Sequence, residues 1–108
     1  MRVTFHPGFS KDILKYGSPY SVISDRLEGR FREDLDRALA AIKDSPRSAG
    51  HFLNVPHALG EVRRKNLRDF PFFVLYGLVA DEVFVVSLIP SRSDPLTWLS
   101  RFSSKKHL

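Results

Sequence analysis

Between Tyr20 and Lys43, apolar residues recur at positions 20, 23, 27, 31, 35, 38, 39 and 42. Steps of three and four lay them on one stripe, so the spacing predicts a helix of about six turns with a polar outer face. Glu28 with Arg32 and Glu33 with Arg37 stand four apart in the favoured order, each pair worth ~0.2 to 0.5 kcal/mol. Gly29 costs the helix about 1 kcal/mol relative to Ala, which the apolar stripe outweighs. Ser45-Pro46 is a stop signal.

Before this helix, Val3-Thr4-Phe5 reads as a short strand ended by His6-Pro7-Gly8. Apolar residues at 9, 13, 14 and 16 then predict a short helix, broken at Gly17-Ser18-Pro19. Residues 46–60, with two prolines and two glycines, read as a loop holding an extended piece at His51-Phe52-Leu53-Asn54-Val55. Residues 61–68 are assigned a strand by their place before a hairpin, and Asp69 opens a turn. The hairpin pairs 72–79 with 83–89 through Ala80-Asp81-Glu82; both arms are so rich in β-branched and aromatic residues that both faces need cover. One face takes the long helix, and the other is a groove or is covered by the last helix. That helix runs from an Asp94 N-cap and Pro95 through Arg101, with Trp98 and Phe102 as core anchors. The order predicts an α+β domain: a small antiparallel sheet packed by an N-terminal helical pair, with a short C-terminal helix. Residues 1–102 make one domain and 103–108 a basic tail.

Composition excludes more than it selects. The 108 residues suit a single core, and 43% apolar with 27% charged residues is ordinary for a globular chain. No apolar run approaches the roughly 20 residues of a spanning helix, and the N-terminus does not read as a signal peptide, so a cytoplasmic protein is the expectation. Without cysteine there is no disulfide, thiolate nucleophile or Cys-based metal site. The net charge of +5 is uneven: residues 1–46 carry eight Lys/Arg against seven Asp/Glu, residues 47–108 nine against five. The C-terminal half is thus the part suited to a phosphate-bearing or acidic partner.

Candidate chemistry follows the charge. Arg63, Arg64, Lys65 and Arg68 lie on the predicted strand 61–68, where Arg64, Asn66 and Arg68 share one face and Arg63 and Lys65 the other. Guanidinium groups bind phosphate with paired hydrogen bonds and stabilise charge on a transferring phosphoryl group, which favours Arg64 and Arg68, with Arg92 just past the neighbouring strand. Cations on an edge strand also block aggregation, a structural alternative for the same residues. His6, His51, His57 and His107 show no His-x-x-x-His spacing and no carboxylate at a fixed offset, so no metal site and no cofactor are expected. Gly-rich phosphate loops, paired carboxylates and nucleophile elbows are missing too.

The order of these parts resembles the RelE/ParE superfamily of type II toxins. The resemblance rests on Val3-Thr4-Phe5-His6-Pro7 with its following helix, the long charged helix, Phe70-Pro71-Phe72-Phe73-Val74-Leu75-Tyr76, the Asp81-Glu82 turn and Ser91-Arg92-Ser93-Asp94-Pro95-Leu96-Thr97-Trp98. It implies a small growth-arresting toxin of the plasmid stabilisation type, neutralised by an antitoxin acidic in its toxin-binding segment. RelE-like members cleave mRNA on the ribosome, whereas ParE-like members inhibit DNA gyrase. Under the RelE pattern Arg64, Arg68 and Arg92 would be catalytic; under either, Arg63, Arg64, Lys65, Arg68 and Arg92 would face the target or nucleic acid. Three positions depart from the RelE pattern: Phe73 stands for an Arg, Trp98 for the catalytic Tyr and Asn66 for a Lys. Trp98 cannot exchange a proton near neutral pH, and the Asp94-Pro95 pair followed by Trp98 is closer to ParE. A plain interaction or nucleic-acid-binding module is the remaining alternative.

Overall fold

The structure is a computed structural model that describes residues 2–53, 60–98 and 101–102. Strand β1 (Arg2–Phe5) leads into helix α1 (Gly8–Ile23), helix α2 (Asp25–Asp44) and a single turn, α3 (Pro46–Ala49). Strands β2 (His51–Leu53), β3 (Glu61–Asn66), β4 (Phe72–Val79) and β5 (Glu82–Pro90) follow, then a 3-10 turn at Pro95–Trp98. The predicted class, α+β, is observed. The sheet is larger than the sequence suggested: five strands in the order β1-β5-β4-β3-β2. It is also mixed, because β1 pairs parallel with β5, Arg2 opposite Glu82 and Phe5 opposite Val85. Only a crossover can join parallel neighbours, and here it is everything from α1 to β4.

The predicted break at Gly17-Ser18-Pro19 is absent; α1 runs through it and ends at Ile23. Pro19 removes one backbone donor, a loss of ~3 kcal/mol in an unsupported helix interior. Packing offsets it: Tyr16 lies 5.1 Å from the Phe72 ring, and Tyr20 packs against Phe31 and Phe70 at 5.3 and 5.0 Å. Each such aromatic pair contributes ~0.5 to 1.5 kcal/mol beyond area burial. Gly17 lets the two helices approach, since a Cβ there would lie 3.2 Å from the Phe31 ring. The long helix begins at Asp25, not Tyr20, because Ser24 turns to extended backbone and its hydroxyl accepts from the Leu27 N–H at 3.0 Å. The predicted Glu33–Arg37 pair is replaced: Arg37 turns instead to Asp34 at 3.2 Å and Asp69 at 4.0 Å.

The helices bury one face of the sheet, where Phe31, Leu35, Ala38 and Ile42 meet Phe72, Val74, Tyr76, Val83, Val85 and Leu88. The opposite face gathers Val62, Phe73, Leu75, Phe84, Val86 and Ile89, and is covered by Phe102 with Trp98 and Leu53 at its margin. Phe102 is 3% exposed and sits over Gly77, where a Cβ would come within 2.6 Å of its ring. A bulge between Leu75 and Tyr76 leaves Val86 as an extra residue on β5. Beyond Phe5, the free edge of β5 is closed by side chains. Asp12 accepts from the Leu88 N–H at 3.1 Å, while Arg101 donates to the Val86 carbonyl at 3.1 Å, the Ser87 hydroxyl at 2.9 Å and Asp12 at 2.7 Å.

The predicted C-terminal helix is, in the described residues, the 3-10 turn and a helical pair at 101–102. The predicted tail, His57 and the second half of the extended piece 51–55 lie outside the described residues.

Candidate functional site

Lys65, Arg68 and Arg92 lie toward the end of the sheet where β3 leaves, β4 enters and β5 finishes; Asn66 pairs with Phe73, and Phe73 with Ile89. One residue of α2 organises this end. Asp34 is 2% exposed, and its carboxylate accepts from the backbone N–H groups of Arg68, Asp69 and Phe70 at 3.0, 2.7 and 3.0 Å, and from Arg37 at 3.2 Å. A buried carboxylate is tolerated only when hydrogen-bonded in this way. The result is a fixed turn, closed by the Leu67 N–H on the Phe72 carbonyl at 2.9 Å.

The five basic residues do not share one surface. Arg63 faces the helix side, opposite Tyr76; its side chain, 15% exposed, donates to the Gly50 carbonyl at 2.6 Å and pairs with Glu61. Arg64 faces the other side. Its guanidinium lies 3.7 Å above the centre of the Phe73 ring and donates to Asn66 Oδ1 at 2.9 and 3.2 Å; burial lowers its pKa. That stacking orders the cation on a ring that is itself 0% exposed. Because β3 ends at Asn66, Arg68 leaves the strand and does not share the Arg64 face. It joins Lys65, Arg37 and Asn66 around a cavity of about 270 Å³ floored by Ala38 and Ala41. Arg92 occupies a third place, the rim of a cup of about 380 Å³ lined by Tyr16, Pro71, Phe72, Pro90 and Ser91.

Among the other titratable and aromatic side chains, His6, Tyr76 and Trp98 have structural partners. His6 Nδ1 accepts from the Gly8 N–H at 2.9 Å, and its pKa is lowered by burial and by the neighbouring Arg101, against an opposing pull from Asp12. His51 stands exposed on β2. The Tyr76 hydroxyl donates to the Pro46 carbonyl at 2.7 Å, and burial raises its pKa. Trp98 stacks on Arg101, whose guanidinium carbon is 4.8 Å from the ring centre. Among the described residues, no group of three or more His, Asp or Glu could hold a metal ion. No described helix is long and apolar enough to cross a membrane.

Sequence reasoning missed Asp34. Its signal was present, since 31, 34, 35 and 38 fall on one helical face and an acid inside such a stripe must find partners.

No protein-family model and no curated protein sequence matches the chain. Its fold is similar to that of a solved chain from the chromosomal ParDE TA system from P. aeruginosa, with a TM-score of 0.69 and 17% sequence identity over 83% of this chain and 95% of that one. The architecture is therefore ParE/RelE-like.

Proposed function

We propose that the chain is the toxin of a type II toxin–antitoxin pair, and that it arrests growth in the cytoplasm by binding DNA gyrase rather than by cutting RNA. The observation that carries the proposal is the ParE/RelE-like architecture, matched along nearly the whole of the neighbour's chain. The side chains favour binding over cleavage. Where the RelE pattern has an arginine, Phe73 is buried beneath Arg64, and Trp98, in the place of the catalytic Tyr, has no proton to exchange near neutral pH. Losing one electrostatic stabiliser of a transition state costs on the order of 100-fold in rate. Arg64, Arg68 and Arg92 accordingly serve as contact residues, and an acidic antitoxin segment would neutralise them.

The test is a supercoiling assay with purified gyrase and plasmid. Trapped cleaved complexes or blocked supercoiling are expected, with relief on adding the acidic antitoxin. Unaffected gyrase would sink the reading. New 5′ ends on translated mRNA after induction would transfer it to the RelE-like alternative, with Arg64, Arg68 and Arg92 as its catalytic set.

A further inference from the structure

We infer that the cup under Arg92 is the anchor site for a large apolar side chain, followed by a carboxylate, on the protein target. The inference rests on the reading that the chain acts by binding a protein. Its walls are Tyr16, Phe72, Pro71 and Pro90, and its volume of about 380 Å³ falls within the range of preformed ligand sites, roughly 300 to 1,000 Å³.

The cup is held from three sides. The Tyr16 and Phe72 rings pack at 5.1 Å. The Ser91 N–H donates to the Pro71 carbonyl at 2.9 Å, tying the end of β5 to the start of β4. The Ser93 N–H donates to the Pro90 carbonyl at 2.9 Å, so Arg92 rides the apex of a closed turn. Two prolines and a closed turn leave little freedom to lose on binding, the condition under which a small pocket contributes most. Among the described residues Arg92 has no hydrogen bond or ion pair, so its charge is available at the rim.

The ligand chemistry follows from what lines the cup. Rings and prolines accept an apolar body, and a single cation matches a single carboxylate; aromatic residues and arginine in pockets are also the usual carriers of interface energy. A polynucleotide fits less well, because its affinity comes from several phosphates at once. Here Arg64 lies on the far face of the sheet, and Lys65 and Arg68 line a separate cavity.

The test titrates isotopically labelled full-length protein with N-acetyl-phenylalanyl-aspartate amide, its asparagine analogue and AMP. Binding in the millimolar range is expected to shift Tyr16, Phe72, Ser91 and Arg92, with the asparagine analogue about tenfold weaker. Arg92→Gln should remove that difference and weaken gyrase inhibition about tenfold, with an unchanged spectrum elsewhere. Absent shifts, equal binding of the two peptides, preference for AMP, or full gyrase inhibition by Arg92→Gln would each overturn the anchor. Because the titration contains no gyrase, shifts at the cup with unaffected gyrase would overturn the gyrase reading alone. Inhibited gyrase with a silent cup would overturn the anchor alone.

Discussion

The two faces of the sheet are covered by unequal means. On the helix side, two long helices bring a connected aromatic cluster, in which the Phe31 ring packs with Tyr20, Phe70 and Phe72 at 5.3 to 5.6 Å. On the other side the cover among the described residues is slighter: Phe102 in the space left by Gly77, with Trp98 and Leu53 at the margin. Among the described residues, the first face has more packed rings to share a loss than the second. The fold is therefore set from the helix side, while the C-terminal cover is the part that can loosen without unfolding the rest.

That contrast can be broken in four ways. Phe31→Ala empties a site that is 0% exposed at the centre of the aromatic cluster and should cost ~3 to 5 kcal/mol in urea unfolding. A loss under 1 kcal/mol would mean that the helix face does not dominate. Asp34→Ala leaves three backbone N–H groups and Arg37 without their acceptor, and should destabilise by about 3 kcal/mol. Hydrogen exchange at residues 68–70 would rise first, and unchanged protection there would refute the role given to Asp34.

Gly77→Ala forces Phe102 out of its seat, at a cost of ~1 to 3 kcal/mol. Trp98 fluorescence should shift to the red while the aromatic signals of the helix face persist; simultaneous loss of both would show the faces to be coupled. The smallest effect is one of pH. The folded-state pKa of His6 is lowered, mainly by burial and then by Arg101, so below its ordinary 6.5 the unfolded chain binds more protons than the folded one. Stability should therefore fall as pH drops from 6.5 through the folded pKa, and be flat above it. His6→Asn, which keeps an acceptor for the Gly8 N–H, should reduce that slope in thermal melts.

Much of this arrangement could be read from the sequence, and the unread parts share a cause. Periodicity located α2 because Phe31, Leu35, Ala38 and Ile42 bury together, and β-branched runs located β4 and β5. Local rules failed where distant partners decide. Pro19 stays helical because Tyr16 and Tyr20 are held by Phe70, Phe72 and Phe31, half a chain away for two of them. β1 reads as a strand, but its parallel seat beside β5 leaves no trace in four residues. At the site, the sequence named the cations and not their surfaces: β3 ends before Arg68, and Arg63 is drawn inward by Gly50 and Glu61.

The parallel seat of β1 also fixes a timetable. Arg2 pairs with Glu82, and Asp12 waits for Leu88 and Arg101. During synthesis at ~5 to 20 residues per second, the first strand and the first helix emerge seconds before their partners. The helical hairpin, whose contacts are local, can form while the sheet it will cover does not yet exist. Closure of the molecule thus comes late in its own manufacture, with β4 and β5 as the step that makes a place for residues translated long before.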